Sequence, residues 1–421
     1  MEIIKDTNAK VYNWLFIAIL FCTFYTAPLF SYCPIRFSDV GCFVLLYLSL
    51  KTNLKISSNS NNRAAILFII WCIFDGLILS QFEFFSIINH TTQFIRLSFA
   101  VIMFCYLPNL LRTLNRDTTF EVLKKVMMFH VYIQIFYFII YHIGFSSIFH
   151  TIENYEQRTA LINENYLFFN HFILVNSVSG YLRFSGLFEE PAWYGWTIVL
   201  LLSFILQYQC RFKRNTISIK DSSLIIISFL FTFSVSAIIS LFLICCAYLF
   251  FKYKQKAIKF IPLIALALIL IGYTLFSFNE SFQMRLESLA EGADGSSNSR
   301  LIGSWNALVT ILNNNPLIGF GLGDINRENY FNSLSQSQMH GISIMGLTIL
   351  DIHNMIVQVI CSLGLIGCFL FLRMINGLNF KNSAIAILGL ILTFFSVNVF
   401  NTYFYFAIIA IAISFFKCKT I

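Results

Sequence analysis

Apolar runs long enough to cross a bilayer follow one another along nearly the whole chain, and this rhythm constrains the fold more than any other feature. The runs lie near 13–30, 37–50, 64–81, 93–108, 126–146, 191–208, 222–234, 237–251, 258–277, 353–372, 383–399 and 402–416. A spanning helix needs about 20 predominantly apolar residues. A bilayer core offers backbone groups no water, so each run must close its own hydrogen bonds as a helix. Of the 421 residues, 58% are hydrophobic and only 11% charged, against about 25% charged in soluble domains. The expected fold is an all-α polytopic membrane protein with about 12 transmembrane helices. The first run, Trp14 to Phe30, has no small-residue cleavage site after it and reads as a retained helix.

The basic residues give the chain an orientation. Lys51, Lys124, Lys125, Lys213, Lys252 and Lys381, with the other lysines, fall on one side of this arrangement. That side is the cytoplasm by the positive-inside rule. The net charge of +8 is therefore a topology signal, and nucleic acid is not an expected partner. The reading divides the chain into N-terminal transmembrane helices (1–148), an outer loop (149–190), central helices (191–277), a large outer loop (278–350) and C-terminal helices (351–421). Within the central group, 222–251 reads as two short runs broken at Ser234–Ser236, a hairpin or re-entrant pair. The 11 cysteines lie mostly inside apolar runs, the two outer loops hold none, and no disulfide scaffold or metal knuckle follows.

The chemistry-bearing residues gather in the two outer loops. They lack lysine yet keep Arg158, Arg183, Arg285, Arg300 and Arg327, and arginine's planar fork suits bidentate phosphate binding. The stretch Arg183 to Gly195, RFSGLFEEPAWYG, places a guanidinium, a glycine, two carboxylates and a proline at the mouth of a hydrophobic helix. Pro191 suits a first helical turn, and Glu189 and Glu190 suit its positive end. Capping leaves Arg183 and Gly186 unexplained. Arg300 precedes an amphipathic segment, Leu301 to Leu312, that can lie along the membrane surface. His353 and Asn354 open the next span, where a histidine can act as a general base. Gly319 to Gly323, GFGLG, lacks the Lys-Ser/Thr of a P-loop. No clustered metal-ligand spacing appears, so no protein-held catalytic metal is expected. Asp75 and Arg96, both inside apolar runs, are expected to pair.

Taken in order, these segments resemble the O-antigen polymerase and O-antigen ligase superfamily of bacterial envelope glycosyltransferases. The resemblance rests on Arg183, Gly186, Glu190 and Pro191; on Arg300 with Trp305; on Pro316 to Gly321; and on His353, Asn354 and Gly364 to Gly367. It covers roughly residues 180–370, whereas residues 1–150 match only in helix count. It implies a GT-C-like inner-membrane enzyme acting at the periplasmic face on undecaprenyl-pyrophosphate-linked glycans. Arg183 and Arg300 would hold the pyrophosphate and stabilise its departing charge. His353 would take the proton of the attacking sugar hydroxyl. Gly186, Glu189, Glu190, Trp305, Asn354 and Arg285 are the substrate-binding candidates. The sugar–pyrophosphate bond is already activated, so the resemblance implies neither nucleotide nor metal. Membrane lipid and a chain-length regulator protein are the implied partners.

The wording GLFEEP favours a polymerase over a ligase that transfers glycan to lipid A-core. A polysaccharide flippase is the third reading. A transporter more often carries internal repeats and charges along a mid-membrane path, whereas here the polar chemistry lies in the outer loops.

Overall fold

The structure, a computed structural model, describes residues 2–24, 29, 35–52, 59–146, 149–152, 172–176, 182–254 (189 and 233 excepted), 262, 266, 302–344, 347–348, 350, 352–376, 378, 380–396 and 402–416. The helices are α1 (Glu2–Thr23), α2 (Phe37–Thr52), α3 (Ser60–Leu79), α4 (Ile87–Thr113), α5 (Arg116–His142), α6 (Pro191–Phe212), α7 (Ile219–Leu230), α8 (Val235–Tyr253), α9 (Ser304–Asn314), α10 (Asp324–Ser333), α11 (Met355–Ile375), α12 (Phe380–Ser396) and α13 (Tyr403–Phe416). Eleven of the twelve apolar runs coincide with described helices, and the run at 258–277 lies almost wholly outside the described residues. Six of these helices are long and apolar enough to cross a membrane. The chain is an all-α polytopic membrane protein. Short strands decorate its loops: β1 (Phe149–Ile152), β2 (Phe172–Asn176) and β3 (Leu182–Phe184) form one sheet, and β4 (Ser343–Ile344) and β5 (Leu347–Thr348) form another.

The chain divides into two interleaved compact units, residues 1–44, 114–291 and 380–393 in the first and 45–113, 292–379 and 394–421 in the second. The first unit is built around α6, whose Tyr194, Trp196, Phe204 and Tyr208 are fully buried. Its neighbours approach closely: a Cβ on Gly195 would stand 2.3 Å from the Ala237 Cβ of α8. Small residues of this kind let spanning helices pack backbone to backbone. Gln207 of α6 donates to the Asn382 carbonyl and accepts from the Ile385 N–H, both at 2.9 Å, which ties α6 to the start of α12. The expected break within 222–251 is present, with α7 ending at Leu230 and α8 starting at Val235.

In the second unit α3 lies along α11, and α4 along α13. Helix α11 is interrupted at Gly364, whose φ of 67° and ψ of −174° are far from helical. An interrupted helix at membrane depth leaves backbone groups to be answered. Here the loop Pro316–Gly321 answers most of them. The Phe320 N–H donates to the Cys361 carbonyl at 2.8 Å, Gly321 N–H to Ser362 at 2.9 Å, and Leu365 N–H to Pro316 at 2.8 Å. Trp71 of α3 completes the set by donating its Nε1–H to the Leu363 carbonyl at 2.9 Å. A Cβ at Gly364 would stand 1.9 Å from the Leu317 carbonyl oxygen, so only glycine fits. The expected Asp75–Arg96 pair does not form. Asp75 is fully buried in α3, and neither of its oxygens makes a hydrogen bond among the described residues. Both residues sit in apolar runs, but the rotation of each helix decides what its side chains meet, and one-dimensional spacing does not encode that.

Candidate active site

The Arg183 segment is built by three elements of the first unit. Strand β3 carries Arg183 opposite Val175 of β2. Next to it, the Phe184 N–H donates to the Phe231 carbonyl at 3.1 Å. Gln134 of α5 donates its Nε2–H to the Phe184 carbonyl at 2.7 Å. The chain then turns at Gly186 with φ 58°, a left-handed conformation that glycine adopts without penalty. A Cβ there would also meet the Gln134 Oε1 at 3.2 Å. The Phe188 N–H closes the turn onto the Ser185 carbonyl at 3.1 Å. Glu190 is the N-cap residue of α6 and Pro191 its first helical residue, as the sequence pattern suggests. The Glu190 side chain makes no capping hydrogen bond, so capping does not account for its carboxylate.

Arg183 itself is aimed by the break between α7 and α8. Its Nε–H donates to the Thr232 carbonyl at 3.2 Å, just past the C-terminal end of α7. A helix C-terminus carries partial negative charge and favours a guanidinium. Aromatic rings brace this arrangement: Phe138 stacks on Phe231 at 3.6 Å and meets Phe184 edge-on at 5.3 Å. One turn along α5 from Gln134, His130 packs its ring against Phe188 at 4.8 Å. Its Nε2 lies 2.9 Å from the Thr23 Oγ1. The same Thr23 hydroxyl lies 2.6 Å from the Leu20 carbonyl.

The second unit holds the other described candidates. The first turn of α9 meets the entry to α11, where Ser304 Oγ accepts the His353 N–H at 3.0 Å. Asn354 is the N-cap of α11, and its Oδ1 accepts the Ile356 and Val357 N–H groups at 2.9 and 3.1 Å. That oxygen is committed to the helix, which accounts for the asparagine after His353 on structural grounds. Trp305 sits next to Ser304 on α9 but points outward, 56% exposed. The buried side of α9 is mixed, with Ser304, Asn306 and Thr310 beside Ala307 and Ile311. Asn306 binds both backbone groups of Ile342, and Thr310 both of His340. The side that faces away carries Trp305 and Leu312.

Arg183, Gly186 and Glu190 thus share one turn, and Trp305, His353 and Asn354 gather around Ser304. Glu189, Arg285 and Arg300 lie outside the described residues. Sequence reasoning missed Gln134, Ser304 and the Thr232 carbonyl. Gln134 had a readable signal, since a polar residue within an apolar run (126–146) marks a specific task. Ser304 and Thr232 had none. Among the described residues no group of three His, Cys, Asp or Glu is placed to hold a metal ion.

Residues 222–372 match the protein-family model described as O-antigen ligase. Over this stretch the chain is similar to the O-antigen polymerase and ligase superfamily. The match supports a glycosyltransferase-like enzyme of O-antigen biosynthesis. The matched region runs from α7 through most of α11 and contains Arg285, Arg300, Trp305, His353 and Asn354. It also contains Thr232, whose carbonyl orients Arg183, although the Arg183–Glu190 turn precedes it. No curated protein matches the chain.

Proposed function

We propose that the protein is an O-antigen polymerase at the periplasmic face of the inner membrane. It would transfer a growing glycan from undecaprenyl pyrophosphate onto a new lipid-linked repeat unit. The observation that carries this reading is the superfamily match over the region holding Arg300 and His353. The wording GLFEEP of the Arg183 turn favours the polymerase over the ligase.

In the proposed reaction His353 accepts the proton of the acceptor hydroxyl while that oxygen attacks the anomeric carbon. The glycosidic bond forms as the bond to pyrophosphate breaks, and attack on the far face inverts the carbon. Arg183 and Arg300 take the charge that builds on the leaving group. The activated sugar–pyrophosphate bond supplies the driving force, so the step calls for no nucleotide. Gly186 lets backbone approach the ligand, Glu189, Glu190 and Arg285 contact the glycan, and Trp305 offers an aromatic face. A chain-length regulator would act as the partner protein.

A strain lacking the protein tests this reading. Loss of a polymerase leaves lipopolysaccharide with core plus one repeat. Loss of a ligase leaves none attached and long glycan on its carrier, an outcome that would replace the proposal. Repeat units trapped on the cytoplasmic leaflet would point to a flippase instead.

A further inference from the structure

Gln134 sits in the middle of a spanning helix and is fully buried. It spends its amide hydrogen on the Phe184 carbonyl at 2.7 Å. Its Oε1 accepts no hydrogen bond among the described residues. For the stability of α5 alone this is a poor arrangement, because a buried acceptor left unpaired costs more than an apolar side chain of the same shape. The hydrogen bond it makes reaches the residue immediately after Arg183. The same residue is held from the other side by its N–H bond to Phe231, whose neighbour Thr232 takes the Arg183 Nε–H at 3.2 Å. The backbone bearing Arg183 is therefore clamped between α5 and the α7–α8 break, and Gln134 is the polar contact from α5. Gly186 belongs to the clamp, since a side chain there would meet the Gln134 Oε1.

We infer that Gln134 is a positioning residue that fixes Arg183 for glycosyl transfer. The inference rests on the proposed role of Arg183 and adds a residue that the motif-bearing loops do not contain. Gln134 acts through the Phe184 carbonyl and touches no substrate. Its effect must therefore be expressed through Arg183 and vanish when the guanidinium is gone.

A double-mutant cycle on the full chain tests this. Purified protein in proteoliposomes is given radiolabelled lipid-linked repeat units, so that residual turnover remains measurable. Gln134→Met keeps the volume and removes the hydrogen bond, and should lower kcat/KM on the order of tenfold. In an Arg183→Ala background the same change should alter the residual rate by less than about twofold, because coupled sites are not additive. Gln134→Glu should recover most of the rate, since a buried acid retains a hydrogen to donate to Phe184. If Gln134→Met does not accumulate, Gln134→Asn, which stops short of the carbonyl, takes its place in the cycle. Equal effects in both backgrounds, or unchanged kcat/KM for Gln134→Met beside an inactive Arg183→Ala, overturn the inference and leave the proposed function standing. A wild-type rate for Arg183→Ala overturns both.

Discussion

Helical structure breaks at two places, within α11 and between α7 and α8, and the two breaks are resolved differently. At Gly364 of α11 the freed carbonyls of Cys361, Ser362 and Leu363 are taken by backbone N–H groups of the Pro316–Gly321 loop and by Trp71. Between α7 and α8 the Thr232 carbonyl is taken by a charged side chain, Arg183, from a loop that carries candidate chemistry. The first break is closed by architecture. The second is coupled to a candidate site. Gly364 is thus accounted for by backbone contact alone, while Arg183 answers to structure and, in the proposed reaction, to chemistry.

The comparison is open to attack from both sides. The largest effect is expected for Gly364→Ala. Its methyl group would collide with the Leu317 carbonyl in a left-handed backbone, a cost of about 3 kcal/mol or more. Folded protein should be lost from the membrane fraction on an immunoblot. Normal accumulation would show that the Gly364 break is not the fixed joint described above. Arg183→Ala should abolish the long glycan ladder while the protein still accumulates. Arg183→Lys separates charge from fork geometry, and it should fail if the guanidinium is required. If Arg183→Ala instead destabilised the protein and spared the ladder, the two breaks would be equivalent.

A smaller effect is expected at Trp71. Trp71→Phe leaves the Leu363 carbonyl without its donor, at a cost of about 1–3 kcal/mol. Melting in detergent should shift down by several degrees with the ladder intact. The smallest effect belongs to Asn354→Ser, which can still cap α11 through its hydroxyl. Stability should change by about 0.5 kcal/mol or less, and the ladder should persist. A lost ladder at normal stability would return Asn354 to the substrate-binding residues.

Much of the framework was legible in one dimension. The positions of the spans followed from hydrophobic run length, and the α7–α8 break from Ser234–Ser236. Pro191 announced the first turn of α6. The candidate site was legible in its charged residues more than in their supports. Arg183 and His353 stood out because charge and imidazole are rare in such a chain. The supports were hidden by sequence distance, with Gln134 lying 50 residues before Phe184 and Trp71 lying 292 before Leu363. Glu190 and Asn354 differ in what their side chains do at the helix starts. The glutamate stands at the N-cap of α6 without a side-chain cap bond, while the asparagine, a substrate-binding candidate, also caps α11.

The sequence by itself determined that this is a polytopic helical membrane protein, because the bilayer requires each apolar run to satisfy its own backbone. It also singled out the few residues proposed to carry chemistry, since polar groups are costly in such a setting. Only the tertiary structure decided what each of them faces. Hydrogen bonds such as Gln134 to Phe184, Arg183 to Thr232 and Ser304 to His353 depend on how helices are rotated and where they break. Those rotations are fixed by packing between segments distant in the chain, which no local pattern of residues records.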